Sequence, residues 1–90
     1  GVLILGIIPY SPAEKMGLEV GEIITKVNGT AVNTEREFYE ALQRNRAHCT
    51  LEVLDNQDQI RFVQRALFEG EHYELGLLFA EEKRAENVAI

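Results

Sequence analysis

Positive charge is scarce in this chain: nine Lys and Arg stand against fifteen Asp and Glu, giving a formal net charge of −6. Nucleic acid and anionic lipid bind through clustered Lys and Arg that displace counterions, and here the basic residues are dispersed among acids, so neither is expected as a direct partner. Cysteine is nearly absent. Cys49 alone forms no internal disulfide, lacks companions for a metal site, and reads as a half-buried strand thiol. His48 and His72 have no second His, Cys or carboxylate at ligand spacing, so they read as solvent-facing, with no metal and no cofactor expected. Serine is equally scarce: Ser11 is the only one. It sits where a helix begins, and His48 and Cys49, adjacent on one strand, point to opposite faces, so neither makes a nucleophile and base pair. The chain is therefore expected not to be an enzyme by itself. No apolar run approaches the ~20 residues of a spanning helix, and the opening "GVLILGII" carries neither a basic flank nor a cleavage site, so the chain reads as soluble.

What is present is ordinary for one folded domain, with 46% apolar and 27% charged residues. Ninety residues bury roughly 60 to 65% of their unfolded surface around a single core, which leaves no room for two. Residues 2 to 8, "VLILGII", form an apolar run too short for a buried helix and bounded by Pro9, which predicts a strand buried on both faces. In "SPAEKMGL" Ser11 is placed to cap a short helix, Pro12 takes the first helical position, Glu14 completes a capping box and Gly17 supplies the left-handed stop. A strand over residues 22 to 28 and a turn at Asn28 and Gly29 follow. Thr34 and Glu37 make a second capping box, and Phe38, Ala41 and Leu42 recur at helical spacing, predicting the main helix over 34 to 46. "HCTLEVLD" and "QIRFVQRAL" alternate as two strands around a polar turn at Asn56 and Asp58, with Thr50, Glu52 and Arg61 facing outward. "ELGLLFAE" supplies a last strand, and "EEKRAEN" a solvated tail. The expected fold is α+β: a small, mostly antiparallel β-barrel or sandwich with two helices, as a domain over 1–81 and a carboxyl-terminal tail over 82–90.

The stretch "GVLILGIIPYSPAEKMGLEVGEIITKVNGTAV" resembles a bacterial PDZ domain: a Gly-started strand, Ser-Pro-Ala, a Gly-Leu turn, then "GEII" and "VNG". Members of that family bind a peptide end in a loop of form apolar-Gly-apolar that precedes the strand on which the peptide pairs. The match to that loop here is "ELGL", residues 74 to 77, which implies a circularly permuted strand order with the ligand loop supplied last. The resemblance implies that Leu75, Gly76 and Leu77 donate backbone N–H groups to a ligand carboxylate, as an anion nest whose glycine removes steric conflict. It further implies that the peptide adds as a strand beside 77 to 81, Leu78 and Phe79 included, and that its last side chain fills a pocket lined by Leu75, Leu77, Phe79 and Leu42. Helix alignment then puts Glu35, Tyr39 and Leu42 toward the groove and Phe38 and Ala41 toward the core. An acid at Glu35 disfavours an acidic ligand residue and tolerates a basic or hydroxyl one.

Glu69, Glu71 and Glu74 flank the loop where many members keep a basic residue, so internal peptide segments stay open beside free carboxyl ends. On this reading Gly76→Glu blocks the nest and leaves the domain folded. The order of elements is also similar to the carboxyl-terminal domain of a multi-spanning membrane adaptor of division-site placement in Gram-positive bacteria. That likeness implies a domain on the cytoplasmic side, tied to the membrane only through its parent; the alternative is the substrate-recognition module of a membrane-linked protease. The tail residues Val88, Ala89 and Ile90 have the apolar, any, apolar pattern that such pockets accept, which raises tail exchange with a neighbouring copy.

Overall fold

The computed structural model describes residues 1–45, 47–71 and 74–80. The tail over 82–90, the docking of Val88, Ala89 and Ile90, and the placement of His72 lie outside the described residues. Eight elements follow one another: β1 (Val2–Ile7), α1 (Pro12–Lys15), β2 (Ile23–Val27), β3 (Thr30–Ala31), α2 (Glu35–Gln43), β4 (His48–Leu54), β5 (Ile60–Ala66) and β6 (Leu77–Phe79).

The helix starts obey local chemistry. Ser11 Oγ accepts from the Glu14 N–H at 3.3 Å and Thr34 Oγ1 from the Glu37 N–H at 3.0 Å, each satisfying a donor that the first turn leaves without an intrahelical partner. The return bonds fall one residue earlier than a capping box would place them. Glu14 accepts from the Tyr10 N–H at 2.9 Å and Glu37 from the Asn33 N–H at 2.8 Å. At α1 the reason is visible: the Ser11 N–H already bonds the Ile8 carbonyl at 3.2 Å. Helix α2 stops at Gln43, short of the expected 46. The Arg44 N–H reaches back only to the Ala41 carbonyl, and Asn45 Oδ1 takes the Ala47 N–H, which turns the chain into β4.

Asn28 and Gly29, with φ of 49° and 85°, close a two-residue turn between β2 and β3. The longer hairpin pairs His48 with Ala66 through to Leu54 with Ile60, and Asp55 Oδ1 ties its turn by accepting from the N–H groups of Gln57 and Gln59. The strands run antiparallel in the order β5-β4-β2-β1-β6, with β3 on β2. The path has two ends, so the sheet stays open and does not close into a barrel. Phe38, Ala41 and Leu42 of α2 join Ile4, Ile24 and Leu51 of the sheet in one buried core.

Two expectations need correction. Strand β1 is not buried on both faces: Val2 and Ile4 are buried, while Leu3 and Leu5 are 37% and 56% exposed. The physical reason is an alternating pleat with its core on one side. Arg61 does not face outward as a free charge. Its guanidinium grips the Glu22 carboxylate at 2.8, 3.0 and 3.2 Å and donates to the Gly17 carbonyl at 2.8 Å, and Glu22 itself is only 2% exposed. The same carboxylate accepts from the Glu19 N–H at 2.9 Å, so it holds the bend before β2 against β5.

Removing one partner of such a pair leaves a buried charge without its counterion, which costs more than the pair's own net contribution. Arg61→Leu is expected to lower unfolding free energy by about 3 kcal/mol, and Arg61→Leu with Glu22→Leu by markedly less. Urea denaturation of the three proteins checks this; equal losses in the single and double variants would refute the paired arrangement.

Candidate functional site

Strand β6 ends the sheet path, so among the described residues its second edge has no strand partner. The direction of its backbone groups follows from three bonds. The Leu75 carbonyl accepts from the Ala13 N–H at 2.9 Å, the Gly76 carbonyl from the Ile8 N–H at 2.9 Å, and the Ala80 N–H donates to the Leu3 carbonyl at 3.0 Å. In a planar trans peptide the C=O and the N–H point opposite ways. The N–H groups of Gly76 and Leu77 therefore point away from α1 and β1, and so does the Phe79 carbonyl, toward the unpaired edge.

Gly76 makes this possible. Its φ is +87°, and a Cβ there would lie 2.2 Å from Ser11 Cβ and 2.5 Å from Ser11 Oγ. That overturns the expectation that Gly76→Glu leaves a folded domain, because any side chain drives into the residue that caps α1. Sequence reading saw the glycine's freedom but not the serine behind it.

Helix α2 lies over the inner side of the same strand. The Phe38 ring packs edge-on against Tyr39 and Phe79 with centroids 4.9 and 5.0 Å apart, and Tyr39 lies 6.4 Å from Phe79. Tyr39 is half-buried, and Glu35, one helical turn earlier on the same face, is exposed. The residues read as pocket lining, Leu75, Leu77, Phe79 and Leu42, do come together, and each is buried in the core. Leu78 stands apart from them: its side chain is 57% exposed on the outer face, over Gly6. The structure thus brings Leu75, Gly76, Leu77, Phe79, Glu35, Tyr39 and Leu42 to one side and leaves Leu78 on the other.

The three acids near the loop separate by geometry. Glu71 pairs with Arg65 and accepts from the Phe68 N–H at 2.9 Å, while Glu69 is exposed. Glu74 turns inward: its Oε1 accepts from the Gly76 N–H at 2.8 Å, and the Tyr39 hydroxyl stands 3.5 Å from the same oxygen, the outer limit of a hydrogen bond. Burial first, then the Glu74 charge and the Glu35 charge, against an opposing backbone bond at Leu75, push the Tyr39 phenol up to about 12. The phenol is neutral across the physiological range.

The remaining reactive groups lie elsewhere. His48 Nε2 stands 2.9 Å from Thr50 Oγ1 on the exposed face of β4. Cys49 is wholly buried rather than half-buried, and burial pushes its thiol up to about 12. Among the described residues no three His, Cys, Asp or Glu gather as a metal site, and no helix is long and apolar enough to cross a membrane.

Residues 3–55 match the family model of the PDZ domain. The chain is 56% identical over 84 residues to the cell division topological determinant MinJ of Bacillus subtilis (strain 168), covering 93% of the chain and 21% of that protein. It is 33% identical over 60 residues to the mitochondrial serine protease HTRA2 of Drosophila ananassae, covering 67% of the chain and 14% of that protein. Among solved structures, the PDZ domain of an SdrC-like protein from Listeria monocytogenes superposes with a TM-score of 0.68 at 18% identity, covering 88% of this chain and 86% of that one. The chain therefore spans about a fifth or less of the curated relatives named here.

Two outcomes follow from the burial of Leu42 and of Cys49. Leu42→Ala removes a fully buried side chain and is expected to cost about 3 kcal/mol of stability, read from chemical denaturation. Cys49 is expected to resist iodoacetamide at neutral pH, with a labelling rate that follows global unfolding as urea is added. Rapid labelling of the native protein would contradict its burial.

Proposed function

This chain belongs to the PDZ domain family of peptide-binding interaction modules, and we propose from that premise that it takes up an extended peptide as an added strand along the free edge of β6. The observation that carries the reading is the orientation of that edge. The Leu77 N–H and the Phe79 carbonyl point outward beside the Tyr39 face of α2, which is the arrangement β-strand addition needs. Main-chain bonds to residues 77 and 79 supply affinity, and side-chain contacts with Glu35 and Tyr39 supply selection, above the buried residues Leu75, Leu77, Phe79 and Leu42, which a ligand's last side chain reaches only if they part.

The partner is a protein, and the role an adaptor in bacterial division-site placement, with the domain tied to the membrane through its parent and working on the cytoplasmic side. What supports this is the 56% identity over 93% of the chain to a protein named as a cell division determinant. The module of a membrane-linked protease is the second reading. The observation favouring it is the shorter match to a serine protease, at 33% identity over 67% of the chain, which supports it less.

A peptide-display screen that offers free carboxyl ends and internal segments together tests the groove, with binding mapped by amide resonance shifts. Shifts are expected along 75–79 and at Glu35 and Tyr39; shifts confined to β4 and β5 would remove the proposal. Glu35→Lys is expected to change the affinity of a selected peptide bearing Lys near Glu35 by about five-fold, the equivalent of ~1 kcal/mol at an exposed pair. Because Glu35 lies in the first turn of α2, the same change is expected to lower stability by about 0.5 kcal/mol and to leave the fold intact.

A further inference from the structure

We propose that Glu74 acts as a built-in carboxylate that fills the peptide-end nest, so the groove selects an internal extended segment with a basic residue over a free carboxyl terminus. This rests on the groove reading above and adds the class of ligand and the residue that selects it.

A terminal carboxylate needs the outward N–H groups of the loop. One of them, on Gly76, already donates to Glu74 Oε1 at 2.8 Å, and the Tyr39 hydroxyl approaches the same oxygen. The acid lies two residues before the amide it occupies, so this bond forms within one short turn. An incoming carboxylate competes against a group held at high effective concentration. It must also remain beside the anion it displaces, and like charges a few ångströms apart at a protein surface repel.

A segment that runs on past the loop brings no such charge. It still finds the Leu77 N–H and the Phe79 carbonyl at the edge, because those point outward whatever Glu74 does. Glu35 and Glu74 bracket Tyr39, one from the helix and one from the loop, so the same field that opposes a carboxylate favours Lys or Arg. The neutral phenol between them provides a donor and an apolar ring against which an alkyl stem can lie.

The test uses one short peptide with an apolar residue and a lysine two positions before it, prepared with a free carboxylate, as the terminal amide, and extended by glycine and serine. Each is titrated into the wild-type chain and into Glu74→Ala, and the Gly76 amide resonance is followed. Glu74 is exposed and its side chain reaches the Gly76 N–H and the Tyr39 hydroxyl, so the variant is expected to keep the fold, which its amide spectrum checks. The wild type is expected to bind the amide and extended forms at least as well as the free-carboxylate form. Glu74→Ala is expected to raise the affinity of the free-carboxylate form about five-fold relative to the amide, with the free-carboxylate form moving the Gly76 amide further in that variant than in the wild type. A wild type that prefers the free carboxylate by about ten-fold, or a preference that Glu74→Ala leaves unchanged, overturns the inference while the groove stands. If no form moves any resonance of 75–79 in either protein, the groove reading falls and this inference falls with it.

Discussion

Two backbone carbonyls fix the segment on which the site depends. Leu75 accepts from Ala13 in the first turn of α1, and Gly76 accepts from Ile8 just beyond β1. Helix α1 is a single turn, too short to be stable alone, so its Ser11 cap and the bond from Ala13 to the loop support one another. The contact also dictates residue type: with Ser11 inside van der Waals distance of any Cβ at position 76, only glycine lets the loop close. Once both carbonyls point inward, planarity of the peptide bond turns the following amides outward. The outward direction of the Gly76 and Leu77 amides is thus a by-product of how a late segment is tied to the first elements of the chain.

Two acids show how burial decides what a carboxylate does. Glu22 is sealed under Arg61 with every short contact satisfied, and it locks the bend before β2 onto β5. A charge so buried cannot leave its partner without a large desolvation cost, so it acts as a fixed clasp. Glu74 meets the same kind of donor, an N–H, two residues away in a partly buried turn that leaves its carboxylate exposed, so it closes the loop on itself without locking two elements together. The same functional group ties distant elements in one place and a local turn in the other.

A strand edge without a strand partner is a hazard for association, and β6, which has none on one side among the described residues, shows how the hazard is limited. The strand has only three residues, and an acid sits at its entry. Those features limit open-ended pairing along the edge that is proposed to take up a peptide. Membership of the PDZ family and the likeness to a division determinant agree with an edge kept available for a partner.

The sequence by itself determined most of what depends on neighbours along the chain, though not where α2 ends or which N–H each capping acid takes. The two helix caps at Ser11 and Thr34, the turn at Asn28 and Gly29, the strand over β2 and the hairpin of β4 with β5 all follow from side chains acting within four residues or from alternation. It also marked 74–77 as the loop to examine, because the apolar-Gly-apolar run that the family pattern calls for stood there, late in the chain rather than ahead of the Gly-started strand. What it did not determine was every feature set by residues far apart. Glu22 and Arg61 are 39 positions apart, and alternation alone cannot say which outward residue finds a buried counter-charge. The exposure of Leu3 and Leu5 depends on which face of the sheet carries the core, and the intolerance of Gly76 depends on Ser11. Even the bond from Gly76 to Glu74, local in sequence, gains its meaning only from tertiary structure. The carbonyls of Leu75 and Gly76 must first be held by Ala13 and Ile8 before the intervening amide faces the groove.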